Sequence, residues 1–152
     1  PRLCRDWSSD VCSSDLPYWE GRHPDHYTAA MLGYEGCFIA GLKNYAMQGA
    51  AFRPFKILYA AAYAEVAPTF AVDITPFYER RREAILAYES QFKPPKDRES
   101  ERVALPLDAL EERMSLQARA YGALIGVKYA EGYVVKETMQ VEDVVKLPVR
   151  SF

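Results

Sequence analysis

Apolar positions recur along this chain at two periods, and each predicts a different kind of element. From His26 to about Leu42, Ala29, Gly33, Cys37 and Ala40 mark one helical stripe, while Met31, Tyr34, Phe38 and Leu42 mark another. A helix apolar over so much of its circumference is expected to be buried on two sides, against a sheet and against a neighbouring element or subunit. Lys56 to Tyr63 and Thr69 to Ile74 read as strands, the second carrying Val72 and Ile74 with Pro68 just ahead of it. Asp73, near the end of that strand, is expected to cap the next helix. Thr75-Pro76 starts a helix, Thr75 as N-cap and Pro76 at the first helical position, and Phe77, Arg81, Ala84, Ile85, Tyr88 and Phe92 continue it at helical spacing. Leu110, Met114, Ala118, Tyr121 and Ile125 form the buried stripe of a last helix, with Asp108 and Glu111 at capping-box spacing and Gly126 to end it. Tyr129 to Tyr133 reads as a short strand or loop.

Other stretches follow neither period. Glu79 to Glu83 (Glu-Arg-Arg-Arg-Glu) reads as a solvated helix face with i,i+4 pairing. Lys93 to Leu107 is charged and proline-bearing, which predicts an exposed surface loop. Pro1 to Leu16 is dominated by Ser and Asp and has no apolar core that would make it a signal peptide. It resembles the translation of a sequencing-library adapter. Residues 1–16 are therefore expected to be a non-native, disordered segment, the alternative being a genuine disordered tail, and residues 17–152 are expected to be part of one domain.

Charge and cysteine content narrow the class. The formal net charge is −2. Arg2 and Arg5 against Asp6, Asp10 and Asp15 account for −1 of it, so the remainder is also near neutral and offers no footprint for nucleic acid or an anionic membrane. No apolar run is long enough to span a bilayer. With Cys4 and Cys12 in the segment set aside, Cys37 is left on a helix face as a small hydrophobe, and neither a disulfide framework nor a cysteine zinc site remains. A cytoplasmic protein is the expectation.

The candidate chemistry is concentrated in Gly21-Arg22-His23-Pro24-Asp25-His26, which holds both histidines of the chain. Pro24 biases His23 toward an extended conformation, so the motif is expected to be a turn, with Asp25 as N-cap of the adjoining helix and His26 in its first turn. Two imidazoles and a carboxylate at such a junction can share one cleft, as ligands or as proton carriers. The same residues can also do no more than hydrogen-bond the turn.

Further blocks accompany that motif: Arg53 to Tyr59, Phe70 to Ile74, Tyr88 to Phe92, Tyr121 to Ile125, and Gly126 to Tyr133 (Gly-Val-Lys-Tyr-Ala-Glu-Gly-Tyr). Together they resemble the LmbE-like (PIG-L) N-acetylglucosaminyl deacetylases, with the bacillithiol-biosynthesis branch the most similar. The resemblance implies an α/β, Rossmann-like fold and a Zn2+-dependent hydrolase that removes the acetyl group from N-acetylglucosaminyl malate. It implies His26 as a metal ligand, His23 as the group that steadies the oxyanion, and Asp25 as the residue that orients or charge-balances one of them. Arg22 and Glu131 are the expected substrate contacts. The expected partner is a small sugar conjugate.

One departure from the family pattern stands out. The family's His-Pro-Asp-Asp segment, which would supply the remaining zinc ligands and the base, is absent. The expectation is thus an incomplete Rossmann-like fold lacking its opening strands, inactive as written, with an unpaired sheet edge that favours homo-oligomers or aggregation. Alternatives are a deacetylase of another N-acetylglucosaminyl conjugate, or a non-catalytic α/β interaction module.

Overall fold

The computed structural model describes residues 13–21, 23–45, 49–54, 56–61, 64–88 and 107–149, with the side chains of residues 13–15 excepted. Its elements in chain order are β1 (Ser13–Pro17), α1 (Pro24–Ala40), β2 (Lys56–Ala60), β3 (Phe70–Asp73), a 3-10 turn (Thr75–Phe77), α2 (Tyr78–Leu86), α3 (Leu107–Ile125), β4 (Ala130–Val134) and a second 3-10 turn (Val144–Lys146). The strands form one mixed sheet in the order β1-β2-β4-β3, so the fold is α/β. β1 pairs parallel with β2, Leu16 opposite Tyr59, and β2 pairs antiparallel with β4, Tyr59 opposite Val134. A helix between two parallel strands is the connection that such pairing requires, and α1 supplies it.

Residues 13–16, set aside above as disordered, therefore belong to a strand. A parallel ladder is built from backbone groups that every residue carries, so a Ser- and Asp-rich run can be recruited when its neighbour offers a free edge. Leu16 adds an apolar anchor. It is buried with Ala30 and Tyr59, and Tyr18, Trp19, Ile57 and Val134 pack around them.

The chain forms two compact units, one from Pro1–Phe70 with Gly132–Phe152 and the other from Ala71–Glu131. In the first, α1 packs through Ala30 and Gly33. A methyl at Gly33 would lie 2.4 Å from a Leu16 methyl, so glycine is what lets the helix approach β1. Within the chain one flank of α1 meets the sheet, while Met31, Leu32, Tyr34 and Phe38 on the rest of its surface are exposed and Cys37 is a free, half-buried thiol. Its C-terminus is closed by Phe52, whose N–H donates to the Ala40 carbonyl at 2.8 Å, and by Arg53, which donates to the Phe38 carbonyl at 3.3 Å and sits 4.8 Å from the Phe38 ring centroid. A cation is favourable at a helix C-terminus.

In the second unit, Leu110, Met114, Ala118 and Tyr121 of α3 are buried as their spacing predicts. Ile125, expected in that stripe, is instead exposed, and Gly122 is buried in its stead. The chain doubles back over the helix end there, so a methyl at Gly122 would come within 2.6 Å of the Val127 carbonyl oxygen. Gly126, with φ of +74°, ends the helix as expected.

Thr75 does not cap a helix. Its hydroxyl donates to the Tyr129 carbonyl at 3.3 Å and accepts from the Tyr129 N–H at 3.1 Å, while the helix proper begins three residues later. Asp73, expected as the cap, caps neither helix: its carboxylate accepts the Thr75 N–H at 2.8 Å in an Asx turn, while Ile74 holds the N-cap position of the 3-10 turn and Phe77 that of α2. Tyr129 then stacks on Tyr78 with ring centroids 3.8 Å apart. The arginine run is more than a solvated face: Arg82 pairs with Glu111 as well as with Glu79, and Arg81 pairs with Glu131. Glu111 is thus spent on an ion pair rather than on a capping box. The helix stripe to Phe92 and the 93–107 loop fall, beyond Tyr88 and up to Leu107, outside the described residues.

Candidate active site

β1 delivers the chain into a tight turn in which the Gly21 N–H donates to the Tyr18 carbonyl at 3.1 Å. Space is short there, since a methyl at Gly21 would lie 3.2 Å from that oxygen and 3.4 Å from His26 Cβ. His23 comes next in extended conformation, φ −89° and ψ 132°, as a residue before proline should.

His23, not Asp25, is the N-cap of α1. Its Nδ1 accepts the Asp25 N–H at 3.2 Å, and its carbonyl accepts from the His26 N–H at 3.0 Å. Pro24 occupies the first helical position, where its missing N–H costs nothing, so the first donor to be satisfied is that of Asp25, and the imidazole is the acceptor within reach. Asp25 lies in the first turn, where a carboxylate meets the positive end of the helix dipole. His26 takes its expected place in the same turn.

The three side chains are near one another. The His23 and His26 ring centroids are 5.6 Å apart, tilted by 43°, and Asp25 Oδ2 is 3.7 Å from His23 Nδ1. Both members of the latter pair are exposed, 61% and 87%, so the charge interaction is weak. The cap has a chemical consequence. A neutral His23 that accepts at Nδ1 carries its proton on Nε2, which leaves Nε2–H as a donor.

Of the remaining expected site residues, Arg22 lies outside the described residues. Glu131 is held by Arg81, whose Nε donates to Oε1 at 3.2 Å with both side chains half-buried. That engagement is a structural ion pair within the second unit.

A catalytic zinc takes three protein ligands and keeps a position open. Among the described residues no group of three or more His, Cys, Asp or Glu side chains is arranged to hold a metal. Two exposed imidazoles, one already accepting at Nδ1, fall short of that set. Sequence reasoning also passed over Trp19, Tyr59 and Lys136, which come together in the first unit; the available signal was two aromatic residues directly ahead of the histidine motif.

No family model matches the chain. Its structure is similar to the conserved protein TT1542 from Thermus thermophilus, with a TM-score of 0.68 and 30% identity over 84% of this chain and 53% of that one. It is similar to the N,N'-diacetylchitobiose deacetylase of Pyrococcus horikoshii, with a TM-score of 0.52 and 30% identity over 80% and 43%. It shares its fold with GalB, the 4-carboxy-2-hydroxymuconate hydratase of Pseudomonas putida KT2440, at a TM-score of 0.59 and 15% identity over 86% and 53%. The chain spans about half the length of the solved structures it matches. Among the described residues no helix is long and apolar enough to cross a membrane. An α/β fold shared at 30% identity with a sugar-amide deacetylase supports the LmbE-like resemblance of the sequence.

Proposed function

We propose that this chain is part of a hydrolase that removes the acetyl group from an N-acetylglucosaminyl conjugate, with N-acetylglucosaminyl malate as the substrate and bacillithiol biosynthesis as the setting. The observation that carries the reading is the His23-Pro24-Asp25-His26 junction at the start of α1, on a fold shared with a chitobiose deacetylase. In this reading the His23 Nε2–H is a donor for the oxyanion formed when the amide carbonyl is attacked. Asp25 fixes the tautomer that makes this possible through its backbone N–H. His26 would supply one ligand of a Zn2+ whose other donors the family's His-Pro-Asp-Asp segment, absent from this sequence, would provide, and Arg22 contacts the sugar conjugate. Glu131, whose carboxylate Arg81 holds, is the second substrate contact in this reading. A chitobiose derivative is the second substrate reading, favoured by the named activity of the Pyrococcus neighbour.

The test compares this chain with a polypeptide extended upstream along the same gene, measuring bound zinc. The extended protein is expected to hold about one zinc per chain and to lose it in His26→Ala, while the present chain holds none. Stoichiometric zinc in the present chain, or zinc retained by the extended His26→Ala variant, would overturn the ligand assignment.

A further inference from the structure

The first unit contains a cavity of about 220 Å3 lined by Trp19, Met31, Tyr34, Glu35, Tyr59 and Lys136. Three features make it more than a packing gap. Lys136 Nζ sits 4.5 Å from the Trp19 ring centroid, 4.9 Å from that of Tyr34 and 5.1 Å from that of Tyr59, so three rings hold one ammonium by cation–π attraction. Trp19 is itself fixed edge-on against Tyr59, centroids 4.7 Å apart. Glu35 lines the same cavity, yet among the described residues it forms no ion pair with Lys136. Opposite charges sharing one small cavity without meeting leave each with capacity for a partner between them. Finally, Tyr59 is 1% exposed and its hydroxyl has no hydrogen-bond partner among the described residues. The hydroxyl lies beneath the accessible surface, so Tyr59 forms the floor of the cavity and the polar contacts open to a ligand are those of Lys136 and Glu35.

The lining decides the ligand's chemistry. A simple anion would satisfy Lys136 but be repelled by Glu35, and a simple cation would meet the reverse. A neutral apolar molecule would strip water from both charges and pair neither. The cavity has room for about seven water-sized groups of ~30 Å3 each, which is the size of a small amino acid.

We propose that this cavity binds a small zwitterion of the free α-amino acid class, its carboxylate on Lys136 Nζ, its ammonium on the Glu35 carboxylate and its body against the Trp19 ring. The site is independent of the histidine motif and of the deacetylase reading.

Calorimetric titration of the full chain with glycine, L-alanine and L-valine tests it. Two analogues of valine complete the series: 3-methylbutanoate, which lacks the ammonium, and isobutylamine, which lacks the carboxylate. At least one amino acid is expected to bind, each analogue at least tenfold more weakly than valine, and Glu35→Gln and Lys136→Met to weaken amino-acid binding at least tenfold. Glu35 is exposed, so Glu35→Gln keeps the fold intact and remains informative if Lys136→Met does not fold. Failure of all three amino acids to bind, equal binding of valine and its analogues, or unchanged binding in Glu35→Gln would overturn the proposal.

Discussion

The His23 Nδ1 completes the first turn of α1, and the proposed reaction uses the Nε2–H of the same ring as its oxyanion donor. The residue types of the motif were legible in the sequence because proline and two histidines in four positions are rare together, but the identity of the cap was not. Asp is the commoner N-cap, and only the position of Pro24 inside the helix shows that the cap falls two residues earlier, at His23. His23→Ala is expected to cost about 0.5–2 kcal/mol of stability, read as a lower denaturation midpoint, with His23→Asn restoring most of it; equal losses in both would refute the capping role. Tyr59 gives the opposite expectation. Burial pushes its phenol above the ordinary range, with the neighbouring Tyr34, Glu137 and Cys37 adding to the shift, and the hydroxyl finds no partner among the described residues. Tyr59→Phe in the free chain should therefore leave the melting temperature unchanged or raise it by the equivalent of about 1 kcal/mol. A clear loss would mean that the hydroxyl is already paired. Asp73 sets an acid-side dependence: the Thr75 hydroxyl and N–H hold its carboxylate below the usual value. A lowered folded-state value stabilises fully above the unfolded carboxylate pKa, and that contribution is lost as pH falls through the folded one. Asp73→Asn keeps the acceptor and removes the titration, so its stability should fall less steeply between neutral pH and acid than that of the parent.

Among the elements, those with strong periodicity came through. The α3 stripe is buried at four of its five expected positions, and both strands read from the sequence exist, β2 beginning at Lys56 as read and ending at Ala60, β3 one residue shorter at each end. β1 was missed because its sequence carries neither period, and what recruits it is the backbone edge of β2 and the burial of Leu16. The start of α2 was misplaced because the Thr75 hydroxyl has a partner 54 residues away, which local capping rules do not see. Two glycines at the end of α3, Gly122 within it and Gly126 just after it, separate packing from conformation. Gly122→Ala would push a methyl into two backbone carbonyls and is expected to cost about 1–3 kcal/mol, whereas Gly126→Ala meets open space and is strained only by its positive φ, about 1–2 kcal/mol. Asn at Gly126 should recover part of that loss and Asn at Gly122 none, as thermal unfolding of the four variants would show; recovery at Gly122 would refute the packing account.

For the whole molecule, the α/β class and its likeness to a sugar-amide deacetylase were within reach of the sequence because several blocks occur in one order. The ligand set was not, since two histidines and one aspartate at a helix start form an incomplete donor group, and the chain spans about half of its structural neighbours. The exposed apolar residues of α1 belong to the same scale. Met31, Leu32 and Phe38 on one uncovered flank are expected to make the isolated chain self-associate, with sedimentation as the check; a monomer at all concentrations would contradict this. The most direct measurement of the central claim is acetate release from N-acetylglucosaminyl malate and from diacetylchitobiose by the polypeptide extended upstream. The account predicts hydrolysis of the malate conjugate, with turnover reduced at least tenfold by His23→Ala, as for loss of an oxyanion donor. Release from neither sugar would contradict it.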